Sequence, residues 1–314
     1  MKALTLSGPG MLSMDHIEVP AARADRARIT VHIAGFGGSE MLALGNPGVR
    51  PLPNIMGHSI SGKTAQGERA TVFPLLSCGQ CQYCREALSQ LCDQWRLIGV
   101  QEPGGFAQQV VVPQASLVPL PDALSWEQAS FIEPFANSIN AWQRAQPKPT
   151  DSVLVIGAGA LGLGLVAAAV EQECAAISVC EISEHRQEAA RVLGANATAA
   201  QIAGEFDVVF DTVGTPETRQ MGMHCTRKNG KCVFMGFASA SNDVPFNQFI
   251  REQKSLIGSF VFSRAQFEQA VTLAGQCRSD WVQNLSFDQV EAQLRAFARG
   301  EFHTVRAALR PNGW

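Results

Sequence analysis

The 314-residue chain contains no run of lysine or arginine, and its net charge is only −3. That argues against a broad cationic face, so neither nucleic acid nor an anionic membrane is an expected partner. No internal repeat or low-complexity tract stands out, so a repeat array is not expected. The opening residues, MKALTLSGPG, hold one lysine and no long apolar region. They do not read as a signal peptide, and a cytoplasmic location is the default. Long apolar runs are also scarce. The exception is 153–170, VLVIGAGALGLGLVAAAV, which is 18 residues without a charge, at the lower edge of membrane-spanning length. Its glycines at 157, 159, 162 and 164 favour a different reading. Composition is otherwise that of a soluble globular protein, 46% hydrophobic and 17% charged, with length for two domains.

Five of the nine cysteines are scattered singly, but four fall within residues 78–92, CGQCQYCREALSQLC. In a reducing compartment such a cluster suggests metal rather than disulfides. The spacing Cys78-x2-Cys81-x2-Cys84-x7-Cys92 keeps four soft ligands within reach of one ion and fits a tetrahedral structural zinc. A closed four-thiolate shell leaves no position for substrate, so this ion would stabilise the fold and not catalyse. An iron–sulfur cluster is the competing reading, although nothing else in the sequence suggests electron transfer. Chance clustering of buried thiols is the bland alternative.

Two textures divide the chain. Residues 1–137 read as short β segments broken by Gly and Pro, with strands expected at 28–36, 69–75 and 106–113. Ser125 is placed to cap a helix running through 125–146, and PKPT at 147–150 reads as a linker. Residues 138–262 then alternate strand and helix. Strands are expected at 152–157, 175–182, 206–214, 230–237 and 255–262, with a helix at 183–194 ending at Gly194. Continuous apolar strands separated by helices indicate a parallel sheet covered on both faces. The segment 263–314 supplies two amphipathic helices, at 263–276 and 286–300, and a last strand at 304–311. The expected class is α/β: an irregular β domain plus a Rossmann doubly wound parallel-sheet domain.

Gly157-Ala158-Gly159-Ala160-Leu161-Gly162 is a G-x-G-x-x-G turn. Such a turn is weak evidence alone, because glycine-rich packing helices contain it by chance. Here it follows a buried strand and opens a helix, and Glu181 lies nineteen positions past Gly162 at the end of the next strand. Gly157 makes the tight turn, Gly159 lets the backbone approach a pyrophosphate, and Gly162 brings the helix close to the sheet. The helix N-terminus favours the phosphates. Glu181 would accept the adenosine ribose hydroxyls and repel a 2′-phosphate, favouring NAD(H). Arg186 nearby keeps NADP(H) as the minority reading.

The four-cysteine loop, FIEP at 131–134 and GAGALG at 157–162 together resemble the zinc-containing medium-chain alcohol dehydrogenase family, in its polyol branch of sorbitol and galactitol-phosphate dehydrogenases. The likeness covers nearly the whole chain. It implies a GroES-like catalytic domain at 1–137 with a structural-zinc lobe, a dinucleotide domain at 138–262, and a segment 263–314 returning to the first. It further implies that Thr212, Val213 and Gly236 line the cofactor, and that the strand SLIGSFVF joins two copies into a homodimer. The family's catalytic zinc uses a cysteine in G-x-C-G-[ST]-D, a histidine and glutamate in GHE, and often a glutamate in EP. Here those motifs read GFGGSE (35–40) and MGHSISG (56–62). Gly37 replaces the cysteine and Ser59 the glutamate, while His58 and Glu133 remain. Ser39 keeps the hydroxyl that relays the substrate proton in the family, and Glu40 stands where aspartate is usual.

Two protein ligands seldom hold zinc, so a catalytic zinc is not expected, although weak metal capture by His58, Glu133 and Glu40 is conceivable. A catalytic zinc contributes several kcal/mol, and a positioned acid ~10²–10⁴-fold, so a proton donor could replace much of the metal's role. His58 is the candidate donor, with Ser39 passing the proton and Glu133 orienting the ring; each has a bland alternative as a packing, capping or hydrogen-bonding residue. The expectation is an NAD(H)-dependent oxidoreductase acting on a small oxygenated or unsaturated substrate. An activated ketone, imine or conjugated double bond is favoured, with a polyol as the family default. The alternatives are an ordinary zinc polyol dehydrogenase and a non-catalytic NAD(H)-binding sensor or partner subunit.

Overall fold

The computed structural model describes residues 1–21, 24–301 and 304–313. The chain divides into two compact units: Met1–Glu133 with Ser263–Phe302 and Arg306–Trp314, and Pro134–Phe262 with His303–Val305.

The first unit is built on a mostly antiparallel sheet in the order Leu117–Pro119, Arg69–Val72, Ser59–Thr64, Arg26–Gly35, Arg306–Leu309, Val282–Leu285, with Gln109–Pro113 also paired to Arg26–Gly35. Alternation explains the long central strand: Ile29, Val31 and Ile33 are all fully buried. The C-terminal helix Phe287–Ala298 adds Val290 and Leu294, one turn apart, to the core formed with Leu4, Ile60, Phe106 and Val110. Each such side chain contributes about 1.5–3 kcal/mol of burial. The last strand, Arg306–Leu309, pairs antiparallel with the end of Arg26–Gly35 (Ala308 opposite Gly35), so the chain's end closes on its beginning.

The second unit holds a six-stranded, all-parallel sheet in the order Ala197–Ala199, Ala176–Cys180, Ser152–Ile156, Phe206–Asp211, Thr226–Phe234, Ser255–Gly258. In sequence order this is 3-2-1-4-5-6, the doubly wound dinucleotide arrangement, whose ligand crevice lies where the order reverses, at the C-terminal ends of Ser152–Ile156 and Phe206–Asp211. The charge-free stretch resolves into the strand Ser152–Ile156 and the helix Ala160–Glu171, whose residues 162–169 are buried. Among the described residues no helix is long and apolar enough to cross a membrane.

The strands expected at 106–113, 206–214 and 255–262 are shorter, Gln109–Pro113, Phe206–Asp211 and Ser255–Gly258, and one expected helix is divided. The helix anticipated over 125–146 is two: Trp126–Ala129, capped by Ser125 accepting from the Gln128 N–H at 3.0 Å, and Ile132–Ala145. Pro134 lacks the N–H that would bond the Ser130 carbonyl four residues back. That carbonyl instead accepts from Ser59 Oγ at 3.1 Å, tying the break to the His58 strand.

Candidate functional site

Backbone register assembles the first cluster. Gly35 pairs with Ser59, so Phe36 and His58 emerge side by side just past the paired ends of their strands. The chain then turns at Gly37 into the helix Gly38–Gly45, and Glu40 sits at its third position. There Glu40 Oε2 accepts the Gly37 N–H at 2.9 Å, one half of a capping box at the helix start. Glu40 Oε1 lies 2.5 Å from His58 Nδ1, and Glu40 is wholly buried. On the other side of the ring, Glu133 Oε2 lies 3.6 Å from His58 Nε2. Glu133 occupies the first turn of Ile132–Ala145.

The electrostatics follow from burial and pairing. Burial alone would push the His58 imidazole down, but Glu40 and Glu133 more than offset it and lift the group to about 9. Burial would raise Glu40, whereas the His58 charge and hydrogen bond, Arg50 and the Gly37 N–H bring it below the usual carboxylate range. His58 is therefore an imidazolium at neutral pH, held between two carboxylates.

Arg306, which is 5% exposed, underlies this cluster. Its Nε donates to Ser130 Oγ (3.3 Å), Nη1 to the Phe36 carbonyl (3.0 Å) and Nη2 to Ser59 Oγ (3.0 Å). Its charge also faces Glu133 and Glu40, while burial draws the guanidinium down to about 10. The side chain crosses the strand at Gly35, where a Cβ would stand 2.2 Å from Nη2. Ser59, in place of the family's glutamate, thus serves as an acceptor for a buried arginine. Ser39 is joined to Arg50, whose Nη2 donates to Ser39 Oγ at 2.7 Å, and not to His58.

Glu40 and Glu133 address opposite nitrogens of His58, and Gly37 brings no side chain. Among the described residues, only Cys78, Cys81, Cys84 and Cys92 bring three or more His, Cys, Asp or Glu ligand atoms together, all within 4.8 Å. Their Sγ atoms lie 3.9 Å (Cys78–Cys84), 3.5 Å (Cys81–Cys84) and 3.5 Å (Cys92–Cys78) apart. Four thiolates at about 2.3 Å from one tetrahedral ion would be about 3.8 Å apart, so a single zinc fits better than a multi-iron cluster. Backbone N–H groups of Cys81 and Gln94 point at Cys78 Sγ (3.3 Å) and Cys92 Sγ (3.4 Å), as suits anionic sulfur. Gly79, at φ +72°, makes the turn that brings Cys81 back to Cys78.

The second unit carries the dinucleotide residues at its sheet's switch point. Gly157 has φ +91°, and a Cβ on Gly162 would stand 1.8 Å from the Gly157 carbonyl oxygen, so neither position accepts a side chain. Gly159 differs: a Cβ there would find only Arg186 Nη1, at 4.0 Å. That space, before the helix that starts at Ala160 after Ala158-Gly159 and continues through Leu161, is where a pyrophosphate would lie. Glu181 accepts the N–H groups of Ala158 (2.7 Å) and Ser183 (2.9 Å), one on each oxygen, fixing the carboxylate at the cradle's rim. Arg186 donates from Nε to the Thr304 carbonyl at 3.2 Å. Thr212 Oγ1 donates to the Ile156 carbonyl at 2.8 Å. The loop after it is pinned by buried Asp211, which accepts from the N–H groups of Val213 and Gly214 at 3.0 Å each. Gly214 and Gly236 touch backbone to backbone: a Cβ on Gly214 would stand 2.2 Å from the Gly236 oxygen.

An irregular β unit carrying a four-thiolate lobe and a unit built on a 3-2-1-4-5-6 parallel sheet with an open glycine cradle together define a two-unit dehydrogenase. The chain belongs to the zinc-type medium-chain dehydrogenases. Residues 23–122 match the family model of the alcohol dehydrogenase GroES-like domain, and residues 160–276 that of the zinc-binding dehydrogenases. It is 29% identical to sorbitol dehydrogenase of Bacillus subtilis (strain 168) over 276 residues, 79% of this chain and 78% of that one. It is likewise 29% identical to L-galactonate-5-dehydrogenase of Escherichia coli (strain K12) over 283 residues, 82% and 83% of the two chains. Its fold matches the solved structure of rspB from Escherichia coli CFT073 complexed with NADH, with a TM-score of 0.88 at 24% identity over 99% of both chains. The chain is thus an enzyme of the dehydrogenase class, in the branch that holds polyol dehydrogenases.

Proposed function

We propose that the enzyme transfers hydride between NAD(H) and a small oxygenated or unsaturated substrate, with His58 and not a metal managing the proton. The observation that carries this reading is His58 held as an imidazolium between Glu40 at Nδ1 and Glu133 at Nε2, in a site where Gly37 supplies no ligand. The nicotinamide, when bound, supplies or receives the hydride. In the reducing direction, hydride adds to the carbonyl carbon, the π pair moves to oxygen, and that oxygen takes the Nε2 proton of His58. Glu40 keeps the Nδ1 proton in place and so fixes the ring orientation and tautomer. Solvent restores the Nε2 proton. A carbonyl already activated by its neighbours, an imine or a conjugated double bond suits an acid of this strength best; oxidation of a secondary alcohol uses the same atoms in reverse.

Glu181 at the rim of the cradle supports NAD(H), and Arg186, beside Gly159, would accommodate a 2′-phosphate. The four-cysteine lobe supports one structural zinc. The edge position of Ser255–Gly258, with Leu256 39% exposed, supports pairing of two copies through that strand.

The test is loss of NADH absorbance across activated ketones, imines, enones and ketoses, followed against pH for whichever reacts. The groups facing His58 are Glu40, Glu133 and, at longer range, Arg50. The reducing reaction needs the protonated ring, so its rate should hold steady through neutrality and fall above pH about 9. Oxidation needs the neutral ring and should rise toward the same point. A transition near the ordinary histidine value, or no reaction with any class of acceptor, contradicts the reading.

A further inference from the structure

Arg50 sits beside the His58 cluster with most of its hydrogen-bonding capacity unused. Its guanidinium makes one hydrogen bond, Nη2 to Ser39 Oγ at 2.7 Å. Its Nε is buried and bonds to nothing. Arg306, the structural arginine of the same cluster, instead donates from all three nitrogens. Arg69, whose Nε is also bare, still donates from both Nη nitrogens to the carbonyls of Pro121, Asp122 and Leu124. Arg50 is only partly exposed, so it is not a solvated surface charge. Glu40 faces it electrostatically but does not hydrogen-bond to it, because the Glu40 oxygens go to His58 and Gly37. A half-buried cation with free donors, one bond away from the hydroxyl of Ser39, is what an anionic end of a substrate would require.

We propose that Arg50 is a specificity residue that recognises a carboxylate or phosphate on the substrate, so that the enzyme acts on an anionic polyol derivative, a sugar acid or a sugar phosphate, rather than on a neutral polyol. This rests on the hydride-transfer reading above. Planar carboxylate and tetrahedral phosphate oxygens would both accept from the remaining Nη hydrogens, and the bond to Ser39 orients the fork relative to the reacting hydroxyl.

The experiment measures kcat/KM with NAD⁺ on matched sets of hexitol, hexonate and hexitol phosphate of several configurations, for the native enzyme, Arg50→Gln, Arg50→Lys and Ser39→Ala. Binding of each compound to the NADH complex is followed in parallel by tryptophan fluorescence. For the configuration turned over, the anionic member should exceed the hexitol by ~10- to 100-fold, the range of one or two charge-assisted hydrogen bonds. The hexonate and phosphate arms decide which anion is meant. Arg50→Gln should erase that advantage mainly through KM, and Arg50→Lys should restore part of it. Ser39→Ala, which removes the bond that orients the fork but leaves its charge, should cut the anionic advantage only in part. A hexitol at least as good as its anionic partners, an anionic preference that survives Arg50→Gln, or no binding of any anion to an enzyme that binds NADH would each overturn the proposal. Failure to bind NADH, or to reduce any carbonyl acceptor, would instead sink the hydride-transfer reading itself.

Discussion

Replacing His58 with alanine is expected to lower hydride-transfer turnover by ~10²–10⁴-fold while NADH still binds, because a positioned acid contributes that much and the cradle lies in the other unit. The physical basis is that His58 carries the only proton in the cluster poised between two carboxylates. Glu40 fixes Nδ1 at 2.5 Å, leaving Nε2 as the working atom. Removing the imidazolium also takes from Glu40 the charge and hydrogen bond of His58, so Glu40 should take up a proton more readily. His58→Gln, which keeps a donor but cannot titrate, should recover some binding and no pH transition near 9. Stopped-flow measurement of the hydride step, with NADH affinity measured separately, checks this. Undiminished turnover in His58→Ala would remove His58 from the mechanism.

The second large effect is on stability. Arg306→Met is expected to destabilise the first unit by about 3–5 kcal/mol, the range for breaking a buried charge network by removing one partner. The substitution leaves the Phe36 carbonyl and the hydroxyls of Ser59 and Ser130 without their buried donor, and takes away the cation facing Glu133 and Glu40. Thermal unfolding should show a drop on the order of 10 °C. Arg306→Lys keeps the charge without the three-way fork and should fall between the two. A melting temperature within a degree or two of the native enzyme would mean that the network is not what holds the ends of Arg26–Gly35 and Ser59–Thr64 together.

Much of the fold was readable because the governing signals are local. The parallel strands show as apolar runs such as 152–156, the dinucleotide turn as three glycines with an acid after the next strand, and the metal lobe as four cysteines within fifteen positions. Some local signals were present but passed over. Thr215-Pro216-Glu217 is a capped helix start, and it opens the helix Pro216–Cys225. Glu40, three residues after the N-cap Gly37, reaches back to the Gly37 N–H at the start of Gly38–Gly45.

The site was less legible, because its connections are long in sequence. The reading singled out His58, Glu133 and Ser39 but gave Glu40 only a metal-ligand role. It did not find Arg306, which bonds to partners 176 to 270 residues away. A hint existed: Arg306 is a charge next to the apolar run 307–309 of the expected strand 304–311, and a charge in a buried strand must be paired. Arg50 offered no such hint, since it lies in a Gly- and Pro-rich loop where solvated charges are common. Only the register of Gly35 against Ser59 brings these residues into one cluster.

The most direct measurement is the metal content of the active, NADH-oxidising enzyme combined with the zinc X-ray absorption edge. The account predicts one zinc per chain in an all-sulfur shell at about 2.3 Å, contributed by Cys78, Cys81, Cys84 and Cys92, with full activity. A second zinc per chain with nitrogen and oxygen neighbours, lost together with activity on chelation, would contradict it.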